Sequence, residues 1–228
     1  MDNEKNKFVP EINTKLREKI VKVPEVIYKA SGIKILGTRI KSLLFSTDVA
    51  IIKNTNADSI IAVYPFTPQL SIIHSILEVA SVPVFAGVGG GLTTGERSVQ
   101  IALQAELLGA YGVVVNAPTK PEVIKRMYEV VDIPIIGTVV SMKDDYKSKI
   151  DAGVRILNVS GGANTHEIVK MIRSEIGKEF PIIATGGPTD ESILRTIEAG
   201  ANAITYTPPT NGEIFSEVME KYRKGQEH

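Results

Sequence analysis

Residues Pro181 to Pro188 read PIIATGGP: a short apolar run, a hydroxyl, two glycines, then a helix start. That is how a buried parallel strand hands over to a loop able to hold an anion. Outward from this stretch the same plan recurs. Apolar, β-rich runs stand at 42–47, 59–64, 82–87, 112–117, 133–140, 155–160, 181–185 and 203–207. Between them lie helical segments such as SIIHSILEVA, ERSVQIALQAELLG, PEVIKRMYEVV, HEIVKMIRSEIG and ESILRTIEAG, and GEIFSEVMEKYRKG closes the chain. Eight strands alternating with eight helices predict an α/β fold, a closed (β/α)8 TIM barrel, over residues 41–228. An open doubly wound sheet is the alternative.

Residues 1–40 read as an N-terminal arm and helices packing on the barrel. Residues 1–12 are a polar arm. Two short helices are expected between Asn13 and Ala30, broken at Pro24, and a small extra strand over Ile33–Leu36.

A two-unit repeat lets the strands be aligned within this one chain. Gly109, Gly153 and Gly200 precede three even-numbered strands, where a left-handed helix cap is needed. With Ala57 taken as the counterpart before the second strand, four residues on stand Ile61, Val113, Leu157 and Ile204, all apolar. Five on stand Ala62, Val114, Asn158 and Thr205; seven on stand Tyr64, Asn116, Ser160 and Thr207. Side chains alternate along a strand, so the first column faces the helices and the other two face the barrel axis. Odd strands aligned on their prolines add Gly87, Thr138 and Thr185, with Ser46 as the match in the first strand. The expected pocket floor is Ser46, Tyr64, Asn116, Thr138, Asn158, Ser160, Thr185, Thr205 and Thr207, rich in hydroxyls and amides. Small polar residues can simply fill a barrel, but such a cluster at the mouth is costly to bury empty, which favours a polar ligand.

Three strand-to-helix loops are glycine-rich: GVGGGLTTG (87–95), SGGAN (160–164) and TGGPT (185–189). Gly89, Gly90, Gly161, Gly162, Gly186 and Gly187 are therefore candidate ligand-binding positions, against the plainer role of tight turning. The first loop is not a dinucleotide fingerprint, because the next strand ends in Asn116-Ala117-Pro118 without an acidic ribose partner. Thr93–Glu96 and Thr210–Glu213 read as helix capping boxes.

Charged groups at strand ends are scarce. Asp48 is the best-placed carboxylate, either a general base or metal ligand, or the cap of the helix that follows. Asn116 joins it as a candidate catalytic residue. Lys143, Asp144 and Asp145 read as a solvated helix start. No lysine lies in the C-terminal half of an expected strand, which disfavours a Schiff-base aldolase. His166, at the start of the sixth helix, is the one histidine near the rim. No His/Asp/Glu cluster has metal-ligand spacing, and no Ser-His-Asp set or GxSxG elbow is present.

Strands five to eight resemble the ribulose-phosphate-binding and related phosphate-binding barrels, on Thr185, Gly186, Gly187 and the stretch Gly200–Thr205. That resemblance implies a phosphate gripped after strand seven. It departs at Thr207-Pro208-Pro209, where two prolines remove two N–H donors, so Asn211 and Gly212 must substitute. The stretch from IPIIGTVVS to SGGANTH is similar to nitronate monooxygenase-type barrels, which implies FMN as an alternative cofactor. The expected function is isomerase, epimerase or lyase chemistry on a phosphorylated sugar-like substrate. Alternatives are a hydrolase using Asp48-activated water, an FMN-dependent oxidoreductase, and a non-catalytic metabolite-sensing barrel. No cofactor is required by the sequence, and FMN or a divalent metal stays open.

Lys+Arg and Asp+Glu are both 26, a balance that argues against nucleic acid or an anionic membrane as partner. Cysteine is absent, which removes disulfides and thiolate chemistry. The polar N-terminus and the lack of any apolar run near roughly 18 residues read as a soluble cytoplasmic protein. The expected partner is a small phosphorylated metabolite. A homo-oligomer stays open.

Overall fold

The computed structural model describes residues 18–226 without a break, preceded by Phe8, Pro10, Ile12, Thr14 and Lys15. The polar arm expected over 1–12 lies largely outside the described residues. Of the two helices expected between Asn13 and Ala30, one is present as a short 3-10 helix, Glu25–Lys29, which starts after Pro24. The described residues before it are not helical; Val21 instead bridges to Thr55.

Two short strands follow, β1 (Ile33–Ile35) and β2 (Thr38–Ile40), paired as a hairpin. The extra strand was expected and its partner was not. Then come β3 (Ser42–Phe45), α1 (Val49–Lys53), β4 (Ser59–Ala62), α2 (Leu70–Val79), β5 (Val84–Gly89) and α3 (Glu96–Leu107). They are followed by β6 (Gly112–Val115), α4 (Pro121–Tyr128), β7 (Ile135–Val139), α5 (Tyr146–Asp151), β8 (Val154–Val159) and α6 (Thr165–Ile176). The chain ends in β9 (Ile182–Thr185), α7 (Asp190–Glu198), β10 (Ala203–Tyr206) and α8 (Asn211–Arg223). Strands β3 to β10 pair in parallel in chain order, and β10 closes on β3, so the sheet is the expected eight-stranded barrel.

Alternation along the strands divides the apolar side chains into two cores. Leu44, Ile60, Ala62, Val113, Leu157 and Ile204 pack outward against the helices. Leu43, Ile61, Phe85, Val114, Ile136, Ile156, Ile183 and Ala203 fill the interior together with Ile33, Ile35 and Ile40 of the hairpin. The hairpin therefore plugs the barrel. It sits at the N-terminal end of the strands, where Gly32 N donates to Asn202 O (2.7 Å) and Asn202 Nδ2 donates to Ser31 Oγ (2.9 Å). A sealed bottom leaves the C-terminal mouth as the way in.

The hairpin turns on Leu36 and Gly37, both with positive φ (46° and 86°), as a two-residue primed turn requires. Leucine is poorly suited to that conformation, and the side chain is exposed, so it gains nothing in packing. Leu36→Asn is expected to raise stability by about 0.5–1 kcal/mol, or roughly 1–4 °C in the thermal midpoint. An unchanged or lower midpoint would mean that Leu36 makes a contact the fold needs.

Candidate functional site at the barrel mouth

Seven of the nine expected floor residues surround one cavity. Asn116, Thr138, Asn158, Ser160, Thr185, Thr205 and Thr207 line a chamber of about 250 Å³ on the barrel axis, with Phe45, Ile61, Val63, Val114 and Val140 as its apolar wall. Thr185 Oγ1 donates to Ser160 Oγ at 3.2 Å across adjacent strands. Three buried side-chain atoms of the described residues have no partner: Asn158 Oδ1 and Thr205 Oγ1, on two residues that line this chamber, and Thr119 Oγ1, on one that does not. Leaving each unpaired costs about 1–3 kcal/mol.

Ser46 and Tyr64 lie elsewhere, and both misplacements have a physical reason. Before β4 no left-handed glycine marks the helix end: α1 stops at Asn54 and the chain runs on to Ala57 without a positive φ. Ala57 is thus a false anchor and the column slips by one. Ile61 faces inward, Ala62 outward, and Val63 holds the axial position assigned to Tyr64. In β3, Leu43 faces inward and Leu44 outward, so Phe45 points to the axis in place of Ser46.

Both residues instead line a second chamber of about 610 Å³ beside the axis, with Thr47, Asp48, Ile51, Pro208, Pro209, Thr210 and Asn211. The two chambers share Phe45, Val63, Asn116 and Thr207, so they adjoin. Asn116 also lines a third chamber of about 340 Å³, formed by the loops after β4 and β5. It stands where all three meet. Its backbone is fixed there by the bond from its N–H to Gly89 O (2.9 Å) and by acceptance from Thr119 N (3.0 Å).

Asp48 caps α1. Its Oδ1 accepts from Ala50 N (2.8 Å) and Ile51 N (3.2 Å), and its own N–H donates to Ser46 Oγ (3.1 Å). The capping reading is therefore realised, yet both cap bonds fall on one oxygen. The other oxygen takes no part in the cap, and the carboxylate borders the lateral chamber. Among the described residues, Asp48 and Tyr64 are the only ionisable ones lining the axial chamber, the two beside it and the groove at Val49 and Ile72, and no lysine, arginine or histidine does.

The glycine-rich loops fold back on themselves. Gly90 N donates to Thr93 O (2.8 Å), Gly161 N to Thr165 Oγ1 (3.0 Å) and Gly186 N to Thr205 O (3.4 Å). Gly90 has φ 109° and lies against Thr119 and Asn116, where any side chain would collide. Gly186 admits no Cβ because Ile193 and Ile204 would stand 2.7 and 2.8 Å from it. Close packing thus explains these glycines without a ligand. Gly89 and Gly90 line the third chamber, while Gly161, Gly162, Gly186 and Gly187 line none of these cavities.

The capping box at Thr210 forms: Thr210 Oγ1 accepts from Glu213 N, and Glu213 Oε2 accepts from Thr210 N at 2.7 Å. Bonds from the Thr210 backbone and then its hydroxyl hold the Glu213 carboxyl below its usual range. A carboxylate at this helix start competes with any phosphate reaching Asn211 and Gly212. The box expected at Thr93 does not form, because Gly95 (φ 65°) stands at the start of α3 and Thr93 Oγ1 donates to Thr67 Oγ1.

Loop five holds a group that strand-based reasoning missed. Lys149, on α5, is 5% exposed, and its Nζ donates to Ala117 O (2.6 Å) and Thr138 O (3.0 Å). It ties the ends of β6 and β7 together directly beside Asn116 and Thr138. Burial lowers its pKa, partly opposed by Asp144 and Asp145. The signal was present in the spacing: Tyr146 and Lys149, three apart, form the buried face of this short helix. Asp144 accepts from Val140 N and Ser141 N, and Asp145 caps α5 through Ser148 N, so both carboxylates shape the loop. His166 lies at the start of α6 and lines none of the mouth cavities.

Among the described residues no three His, Cys, Asp or Glu side chains converge to hold a metal. A divalent ion at Asp48 would have that single carboxylate and neutral oxygens as ligands. The axial chamber alone is smaller than the roughly 300–1,000 Å³ of sites for drug-sized ligands, while the lateral chamber lies within that range.

No family model matches the chain, and no curated protein matches it. Solved structures do match in fold. Phosphonopyruvate hydrolase, in a complex with oxalate and Mg++, is 13% identical with a TM-score of 0.61, over 85% of this chain and 86% of that one. Phosphoenolpyruvate phosphomutase from Streptomyces platensis subsp. rosaceus is 12% identical with a TM-score of 0.61, over 88% and 86%. Mandelate oxidase with (S)-2-phenylpropionate is 14% identical with a TM-score of 0.61, over 78% and 68%. A hydrolase, a mutase and an oxidase on one barrel show that the likeness carries the fold and not the chemistry. The narrower resemblance to the ribulose-phosphate-binding group is not what these neighbours support.

Proposed function

We propose that the mouth is the active site of an enzyme acting on a small phosphorylated metabolite, by isomerase or lyase chemistry in which Asp48 moves the proton. The observation that carries this reading is the pair of unpartnered atoms, Asn158 Oδ1 and Thr205 Oγ1, on residues lining a chamber that adjoins the one Asp48 borders. A merely filled barrel would pair these atoms internally. A phosphorylated substrate is supported by the phosphonate- and phosphate-bearing substrates in the names of two fold neighbours. It is supported also by Thr185, which lines the axial chamber at the head of the loop Gly186-Gly187.

In this reading the substrate spans the chambers. The Asp48 oxygen that is free of the cap takes a proton from a carbon next to a carbonyl. Charge then develops on the carbonyl oxygen, and the Asn116 amide, at the junction, donates to it. Where the deprotonated carbon carries a hydroxyl, passing that hydroxyl's proton to the former carbonyl oxygen and returning the Asp48 proton to the former carbonyl carbon completes an isomerisation. Where the next carbon carries a leaving group, collapse of the enolate expels it with the bonding pair and the Asp48 proton neutralises it, which completes a lyase reaction. Ser160 and Asn158 orient the substrate's hydroxyls.

A hydrolase is the second reading, favoured by the width of the lateral chamber, which leaves room for water beside Asp48. The two differ in the fate of solvent oxygen: a hydrolase incorporates ¹⁸O from labelled water into product, and an isomerase does not require it.

The site is tested at Thr185. Thr185→Val removes one hydroxyl at nearly constant shape and is expected to weaken a phosphorylated ligand about tenfold, a loss of about 1.4 kcal/mol, while sparing its dephosphorylated analogue. Equal weakening of both would take phosphate away from this loop.

A further inference from the structure

We infer that the floor of the axial chamber is a subsite for an uncharged end of the ligand that both donates and accepts hydrogen bonds, a hydroxyl or a carboxamide, and that any anionic group of the ligand stays off this floor, at the more exposed Thr185 or in the outer chambers. The inference rests on the mouth being a ligand site and adds which end of the ligand goes in.

Thr205 is 7% exposed, and its hydroxyl oxygen has no partner. The Asn158 side-chain oxygen is likewise buried and unpartnered, and both residues line the chamber. Asn158 lies on β8 and Thr205 on β10, either side of β9, so they approach one occupant from two directions. A carbonyl oxygen can be satisfied only by a donor. Carboxylate and phosphate oxygens are acceptors when ionised, and would leave Asn158 Oδ1 unpaired. With the amide turned over, its NH2 group takes the buried place and needs an acceptor instead. A hydroxyl or carboxamide serves either orientation, and the rotating Thr205 hydroxyl completes the pair.

Charge points the same way. The rest of the lining is five apolar side chains, one further amide and four further hydroxyls, with no cation among them. An anion driven to the floor would lose its water without gaining a counter-charge. The lateral chamber is wider, so a charged group held away from Asp48 keeps its hydration there.

The test is a titration of the ¹⁵N-labelled full chain with glycolamide and, separately, with glycolate, which match in size and differ in charge. Glycolamide is expected to shift the Asn158 side-chain NH2 and Thr205 backbone resonances saturably, with about tenfold tighter binding than glycolate. Thr205→Val is expected to weaken glycolamide severalfold. Glycolate binding as tightly at these resonances would overturn the inference, and so would the absence of any shift with glycolamide. Failure of the phosphorylated-metabolite reading looks different: phosphorylated compounds fail to bind while glycolamide still finds Asn158 and Thr205.

Discussion

Asp48→Asn is expected to lower turnover by about 10²–10⁴-fold, with ligand affinity and melting temperature almost unchanged. The substitution separates the two roles of this side chain. Asparagine is as good an N-cap as aspartate, so the bonds to Ala50 N and Ile51 N survive. What is lost is a basic oxygen at the edge of the lateral chamber. A variant that turns over normally would leave Asp48 as a cap alone and would remove the leading acid–base group from the mouth. A variant that loses binding as well would mean that the carboxylate positions substrate.

The second large effect falls on stability. Lys149→Met leaves the carbonyls of Ala117 and Thr138 without their shared donor. The cost is about 1–3 kcal/mol for each unpaired group, partly offset because no charge remains buried. A net loss of about 2–4 kcal/mol corresponds to a midpoint lower by roughly 4–16 °C. The pH dependence has a definite sign. Burial lowers the Lys149 pKa below its ordinary 10.5, so the native chain releases this proton before the unfolded chain does. Between those two pKa values the unfolded state binds more protons, and stability from this group rises with pH. The gap between wild type and Lys149→Met should therefore widen as pH approaches 10.5. A gap that narrows there would show that the charged form is favoured by the fold. Because the same ammonium holds the strand ends beside Asn116 and Thr138, the variant should also bind ligand less tightly wherever it remains folded.

The barrel was legible because its strands are short apolar runs at even spacing and three helices end on glycines that do take positive φ, Gly109, Gly153 and Gly200. Those glycines fixed the facing of β6, β8 and β10, and the prolines fixed that of β7 and β9. Where neither anchor existed, in β3 and β4, the facing slipped by one residue, and Ser46 and Tyr64 were placed on the axis in error. A period-two pattern gives no warning of such a slip when both faces are apolar. The strand Thr38–Ile40 was hidden by its brevity and by a turn that puts a leucine where glycine or asparagine is usual. Lys149 was hidden because its function lies in distance from its own backbone: a helix residue supports strand ends that sequence spacing does not connect. The glycine-rich loops show the reverse error. Their composition matches an anion cradle, but the N–H groups of Gly90, Gly161 and Gly186 are engaged within the protein.

The central claim is that the mouth binds a small phosphorylated metabolite. It is tested most directly by thermal shift of the whole chain against paired sugar phosphates and related phosphorylated compounds, each beside its unphosphorylated counterpart. A ligand at 100 times its dissociation constant adds about 2.7 kcal/mol, several degrees in the midpoint for a chain of this size. One phosphorylated compound is expected to shift the midpoint selectively, and Thr185→Val to abolish most of the difference from its unphosphorylated partner. No shift with any phosphorylated compound, or equal shifts within each pair, would contradict it.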